Sequence, residues 1–134
     1  MAKRKPELID FIICDDIRSE VGNKVSLMGI YGNTIVIPQM RFRFSKLCFI
    51  QRLVKGEGEF KAKTVLSSPS KAIGQLMFDK VIFTGAETAL FAIFEAIQID
   101  EVGSYRIETF FDDDASPTIN YAFNVALPPQ ASTQ

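Results

Sequence analysis

The chain has 134 residues, with 15 Lys plus Arg against 16 Asp plus Glu, no His, no Trp and two Cys. That is the length of one domain, and a fold of this size buries about 68–70% of the surface its unfolded chain exposes, enough for a core without disulfides or metals. The lack of His removes Ser-His and Cys-His nucleophiles and imidazole ligands or bases, and a net charge of −1 supplies no whole-molecule field to draw nucleic acid or an anionic membrane.

Met1-Ala2-Lys3-Arg4-Lys5-Pro6 opens like the basic start of an export signal, but Glu7 and Asp10 interrupt the apolar stretch that would have to follow. Residues 1–6 therefore read as a loose, solvated basic arm. Leu8–Cys14 and Lys24–Tyr31 are rich in β-branched and aromatic residues and read as strands, parted by a polar stretch ending in Gly22-Asn23. Gly32-Asn33 tolerates the positive φ of a tight turn and leads into Thr34–Ile37, stopped by Pro38, which predicts a meander. Strands follow at 41–54, 59–66 and 72–83, divided by Gly56-Glu57-Gly58 and Ser67-Ser68-Pro69-Ser70. Residues 86–99 are ambiguous. Leu90, Ile93, Phe94 and Ile97 make a helical stripe, while Phe91, Ile93, Ile97 and Ile99 share a strand face with Glu95.

After it, Tyr105, Ile107, Thr109 and Phe111 alternate with Arg106, Glu108 and Phe110, and Ile119, Tyr121, Phe123, Val125 and Leu127 alternate with Asn120, Ala122, Asn124 and Ala126. The turn-forming run Asp112 to Pro117 joins the two as a hairpin. Pro128 and Pro129 head a tail, 128–134, without periodicity, which predicts a loose end. One domain thus spans 7–127. Its longest apolar run, Ala89–Phe94, is far short of the about 20 residues that span a bilayer, so no membrane partner is expected. Cys14 and Cys48 lie in apolar segments and read as buried, reduced thiols of a cytoplasmic protein.

Glu101-Val102-Gly103-Ser104-Tyr105 resembles the tyrosine corner of immunoglobulin-like sandwiches, where a Tyr opening the next-to-last strand bonds back to upstream backbone. The resemblance implies an all-β, immunoglobulin-like antiparallel β-sandwich of about seven to nine strands, with Tyr105 and Gly103 as structural residues and 86–99 as the strand before the corner. Ile107 stands where an antibody domain carries its second Cys, so the disulfide is absent.

Cys14-Asp15-Asp16-Ile17-Arg18-Ser19-Glu20, followed by Gly22-Asn23-Lys24-Val25-Ser26-Leu27-Met28-Gly29-Ile30-Tyr31, resembles the opening of an uncharacterised family of small bacterial and phage proteins. The likeness covers about the first thirty residues well and the remainder in outline, and it implies no activity. Physically, Asp15, Asp16, Arg18, Glu20 and Lys24 alternate in sign, which predicts an ion-pair network pinning a loop, with Arg18 and Glu20 as structural members.

With consecutive strands antiparallel, Asp15, Asp16, Asp100 and Glu101 fall at one end of the sandwich and become weak candidates for a hard cation, with Glu20 alongside. Walker loop, dinucleotide fingerprint, Cys-x-x-Cys and nucleophile elbow are all missing, so no enzyme and no cofactor is expected. The strongest anomaly is that Leu47–Val54 and Leu90–Ile97 are apolar on both faces, although a two-layer sandwich covers one face of each sheet. That predicts a non-enzymatic interaction or self-assembly module whose partner is itself or another protein, docked through Phe49, Leu53, Phe91 and Ile93. A phage virion accessory and a cation-dependent binder or hydrolase using the loop carboxylates are the alternatives.

Overall fold

The computed structural model describes residues 3–129 and contains nine strands and no helix among them. In chain order these are β1 (Glu7–Glu20), β2 (Lys24–Tyr31), β3 (Thr34–Val36), β4 (Phe42–Val54), β5 (Glu57–Ser67), β6 (Ala72–Thr84), β7 (Thr88–Ile99), β8 (Gly103–Phe111) and β9 (Ile119–Ala126). They form a four-stranded sheet in the order β2-β1-β4-β7 and a five-stranded sheet in the order β3-β9-β8-β5-β6. Placing β1, β4 and β7 side by side in one sheet and β5, β8 and β9 in the other reproduces the strand neighbours of an immunoglobulin-like sandwich.

Four expectations change. The first strand does not stop at Cys14 but continues to Glu20, pairing with β2 down to Glu20 opposite Lys24. The supposed meander is broken because β3 leaves for the other sheet, where it pairs in parallel with β9. One ladder of the sandwich is therefore not antiparallel. The basic arm is docked from Lys3 on: Arg4 exchanges two backbone hydrogen bonds of 2.8 Å with Glu57, and Pro6 is buried. Of the tail, residues 130–134 lie outside the described residues.

Residues 86–99 are a strand, and the structure shows why a helical stripe also fitted. Leu90, Ala92 and Phe94 face the core, then Ala96 takes φ 56° and drops out of the ladder with Ser45 opposite it. Beyond that kink Ile97 and Ile99 face the core instead of the outside. Phe44 and Leu47 on β4 change phase at the same place. Leu90, Phe94 and Ile97 thus point inward together at a spacing close to a helical one.

Tyr105 makes the corner, donating its hydroxyl to the Glu101 carbonyl at 2.5 Å, with its ring buried. Gly103 permits the approach: its φ is +128° and a Cβ there would meet Pro69 at 3.1 Å. Inside, the core falls into two apolar clusters, one around Phe49, Phe94, Tyr105 and Phe123, the other around Leu53, Phe60, Phe83 and Phe111. Between them lies a polar layer that joins the sheets. Thr109 of β8 donates to Gln51 Oε1 of β4 at 2.6 Å and shares a 2.8 Å hydrogen bond with Thr64 of β5, all three fully buried. Each sits between residues of the two clusters: Gln51 between Phe49 and Leu53, Thr64 between Ala62 and Leu66, Thr109 between Ile107 and Phe111.

Removing Thr109 leaves the buried Gln51 side-chain carbonyl without a donor, whereas removing all three together does not. Thr109→Val should lower the stability read from urea denaturation by about 1–3 kcal/mol, and the triple variant Gln51→Leu, Thr64→Val, Thr109→Val should recover most of that loss.

Candidate functional site

Side chains that alternate along a strand reach opposite faces of its sheet, so the cross-strand register shows which residues share the outer face of the four-stranded sheet. Ile30, Cys14, Cys48 and Ile93 stand opposite one another in one row across β2, β1, β4 and β7. Ile12, Ile50 and Phe91 make the next row. Charged pairs frame this apolar band. On one side Asp16 binds Lys46 at 3.1 Å, and on the other Arg52 binds Asp10 at 2.7 Å and also Glu87.

The two-faced apolar character of β4 and β7 is real, but two of the four expected surface residues are misplaced. Phe49 and Leu53 are 0% exposed and belong to the two inner clusters. They share the inward phase of β4 with Leu47 and Gln51, and it is Cys48 and Ile50 that look outward. Phe91 is half-buried and Ile93 is 37% exposed, both on the outer band. Part of that band is covered from within. Ile17 and Leu27, from the far half of the β1–β2 hairpin, pack with Phe91 and Ile12 against Cys14, Cys48 and Ile50. The hairpin bends there at Gly29, whose φ is +68° and whose missing Cβ leaves room for the Asp15 carboxylate. Beyond the covered part, Ile30 (63% exposed), Met28 (45%) and Val25 line β2, one of the two unpaired edges of this sheet.

The candidate carboxylates do not converge. Asp15 and Asp16 lie within β1, not in a loop; Asp15 accepts a hydrogen bond from Tyr31, and Asp16 is paired with Lys46 and, at 3.3 Å, with Arg18. Glu101 accepts hydrogen bonds from Ser68 at 2.8 Å and from Ser70, anchoring the β5–β6 loop, while Asp100 accepts from Gln98 at 3.3 Å. Glu20 accepts from Ser26 at 2.9 Å. Of the alternating charges among the described residues, only Asp16 and Arg18 pair with each other, and Glu20 is tied to Ser26 across the hairpin instead of to a cation. Among the described residues no three Cys, Asp or Glu side chains gather as metal ligands.

A hollow of about 440 Å³ beside this end is lined by Asp15, Tyr31, Phe42, Arg43 and Lys46. Burial and then the neighbouring Asp15 push the Tyr31 hydroxyl well above its ordinary value, so it holds its proton at neutral pH and is no nucleophile. Burial likewise raises both thiols, Cys48 to about 11; Asp15 and Asp16 add to this at Cys14, and the neighbouring Cys14 and then Asp16 at Cys48. Both hold their protons at neutral pH.

At the opposite end the N-terminal basic run meets the acidic run of the β8–β9 turn. Lys3 binds Asp112 at 3.1 Å, Lys5 binds Asp114, and Lys3 lies 4.8 Å over the Phe60 ring. These contacts went unread in the sequence because the runs are 109 residues apart; their opposite signs were the one available signal. No protein-family model and no curated protein matches the chain.

Asp16, Glu101 and Asp112 are all held below the ordinary carboxylate value: Asp16 by Lys46 and then Arg18, Glu101 by Ser70 and Ser68, and Asp112 by the Lys61 backbone N–H and then Lys3. A depressed folded-state value contributes stability that is complete above the unfolded value and is lost as pH falls through the folded one. The thermal midpoint should therefore fall as pH drops from about 5 to 3. Asp112→Asn, which keeps the acceptor for Lys61 but loses the charge, should flatten that slope.

Proposed function

We propose that the protein is a non-enzymatic module that self-associates through the β2 edge and the adjoining outer face of the four-stranded sheet. The observation that carries this reading is the contrast among the four sheet edges. Natural sheets guard exposed edges with shortness, charge or irregularity. β3 is three residues long, β6 carries Asp79-Lys80 at a register shift, and β7 carries Glu95 beside the kink at Ala96. β2 bends at Gly29 but has no charge from Val25 to Tyr31 and exposes Val25, Met28 and Ile30.

Ile30 belongs both to this edge and to the apolar band, so an antiparallel pairing of two β2 strands about a two-fold axis buries edge and band in one contact. The same patch serves both copies, as an isologous dimer requires. Aromatic and aliphatic residues at the centre with the Asp16–Lys46 and Asp10–Arg52 pairs at the margin match the anatomy of a protein interface. A partner of another sequence is the second occupant such an edge accepts.

Light scattering on the eluting protein should show a dimer at micromolar concentration. Met28→Lys with Ile30→Lys should give a monomer with an unchanged far-UV spectrum. A monomeric wild-type chain, or a dimer that survives both lysines, overturns the reading. Phe49→Lys, in contrast, should unfold the domain.

A further inference from the structure

We propose that Cys14 and Cys48 are a dithiol modification site that closes to a reversible cross-strand disulfide, fastening the β1–β2 hairpin to β4. This does not rest on the docking reading. The two are the chain's only cysteines, and they stand directly opposite each other in the antiparallel β1–β4 ladder. Opposed residues in such a ladder have Cα atoms about 4.5 or 5.5 Å apart, and both spacings lie inside the roughly 4.4–6.8 Å that a disulfide bridges. Their side chains share the outer face and pack in one buried cluster with Ile50. Both are also turned toward the bend of β1, Cys14 Sγ lying 3.5 Å from the Asp16 carbonyl and Cys48 Sγ 3.7 Å from that of Asp15. Bond formation therefore needs no strand to slide.

Position gives the bond a consequence. β4 pairs with β1 only as far as Cys14 opposite Cys48; beyond this point β1 continues with β2 alone. The dithiol is the last rung before the hairpin departs, and Ile17 and Leu27 of the departing part pack onto it. A covalent bond at that rung adds to the β1–β4 ladder and the Asp16–Lys46 pair in holding the hairpin's base to the sheet.

Glutathione disulfide serves as the oxidant. Both thiols are fully buried beneath Ile17 and Leu27 and hold their protons at neutral pH, so the reaction starts from a local opening of the hairpin at mildly alkaline pH. One cysteine, exposed and deprotonated there, attacks a sulfur of glutathione disulfide, expelling one glutathione thiolate and leaving a mixed disulfide on the protein. The second cysteine gives up its proton and attacks the protein-bound sulfur, so the Cys14–Cys48 bond forms as the second glutathione leaves. Two protein thiols are oxidised, one glutathione disulfide is reduced, and the two protons end on the two glutathione thiols.

The test treats the folded full chain with excess glutathione disulfide at mildly alkaline pH. The intact mass should fall by two hydrogens, a digest should link the Cys14 peptide to the Cys48 peptide of the same chain, and excess dithiothreitol should restore the starting mass. The thermal midpoint of the oxidised form should rise by several degrees. In Cys14→Ser the same treatment should stop at a glutathione adduct on Cys48. A lasting glutathione adduct on the unsubstituted chain, a bond between chains, thiols that stay free throughout, or an oxidised form that melts no higher overturns the proposal.

Discussion

The hydrogen-bonded layer of Gln51, Thr109 and Thr64 sets the geometry on which the remainder of this sandwich depends. Apolar side chains pack in many offsets at similar cost, but a buried carbonyl accepts a hydrogen bond only where a donor reaches it. The contact joins β4 of one sheet to β8 of the other, and it fixes how the sheets lie along their strands. In antibody domains the corresponding pair of strands is tied by a disulfide. Here one hydrogen bond between the sheets and a second along the five-stranded sheet occupy the middle of the core, and the aromatic clusters fill the space to either side. The Gln51 amide nitrogen finds no acceptor, so the layer specifies alignment at some cost to stability.

Much of this architecture was legible in the residues. Alternation along β8 and β9 marked both strands and the hairpin between them, and the Glu101 to Tyr105 spacing identified the corner that the Tyr105 hydroxyl makes. The polar layer was not read: Gln51 shares the phase of Phe49 and Leu53, which were assigned to the outer face, and so was not expected to be buried beside Thr64 and Thr109. What could not be read were the places where a strand changes phase without losing register. At Ala96 a single left-handed residue reverses which side chains face inward, and no composition rule marks an alanine for that conformation. Assigning Phe49 and Leu53 to the outside had another cause. A strand that is apolar on both faces does not declare which face is which, and only its neighbours in the sheet decide.

The acidic and basic runs teach a related lesson about distance in sequence. Lys3 and Lys5 looked like a free arm, and Asp112 and Asp114 like a solvated turn. Each run neutralises the other against Phe60, because β5 carries the Arg4 bridge on one flank and reaches the β8–β9 turn at the other. On β1, Asp10 and Asp16 likewise find cations on their own and adjacent strands, while Asp15 and Glu20 bind the hydroxyls of Tyr31 and Ser26. Most of the chain's clustered charge is thus consumed in bracing, which leaves the neutral β2 edge and its apolar neighbours as the distinctive surface.

The parallel pairing of β3 with β9 has a bearing on how the chain is made. Residues near position 35 and position 125 are partners, and β9 is flanked on both sides, by β3 and by β8. During synthesis the early strand has no ladder to join until residues 124–126 have left the ribosome. Contacts this remote favour slow acquisition of the native state. Through most of translation the nascent chain must keep Ile35 and Ile37 from finding substitutes.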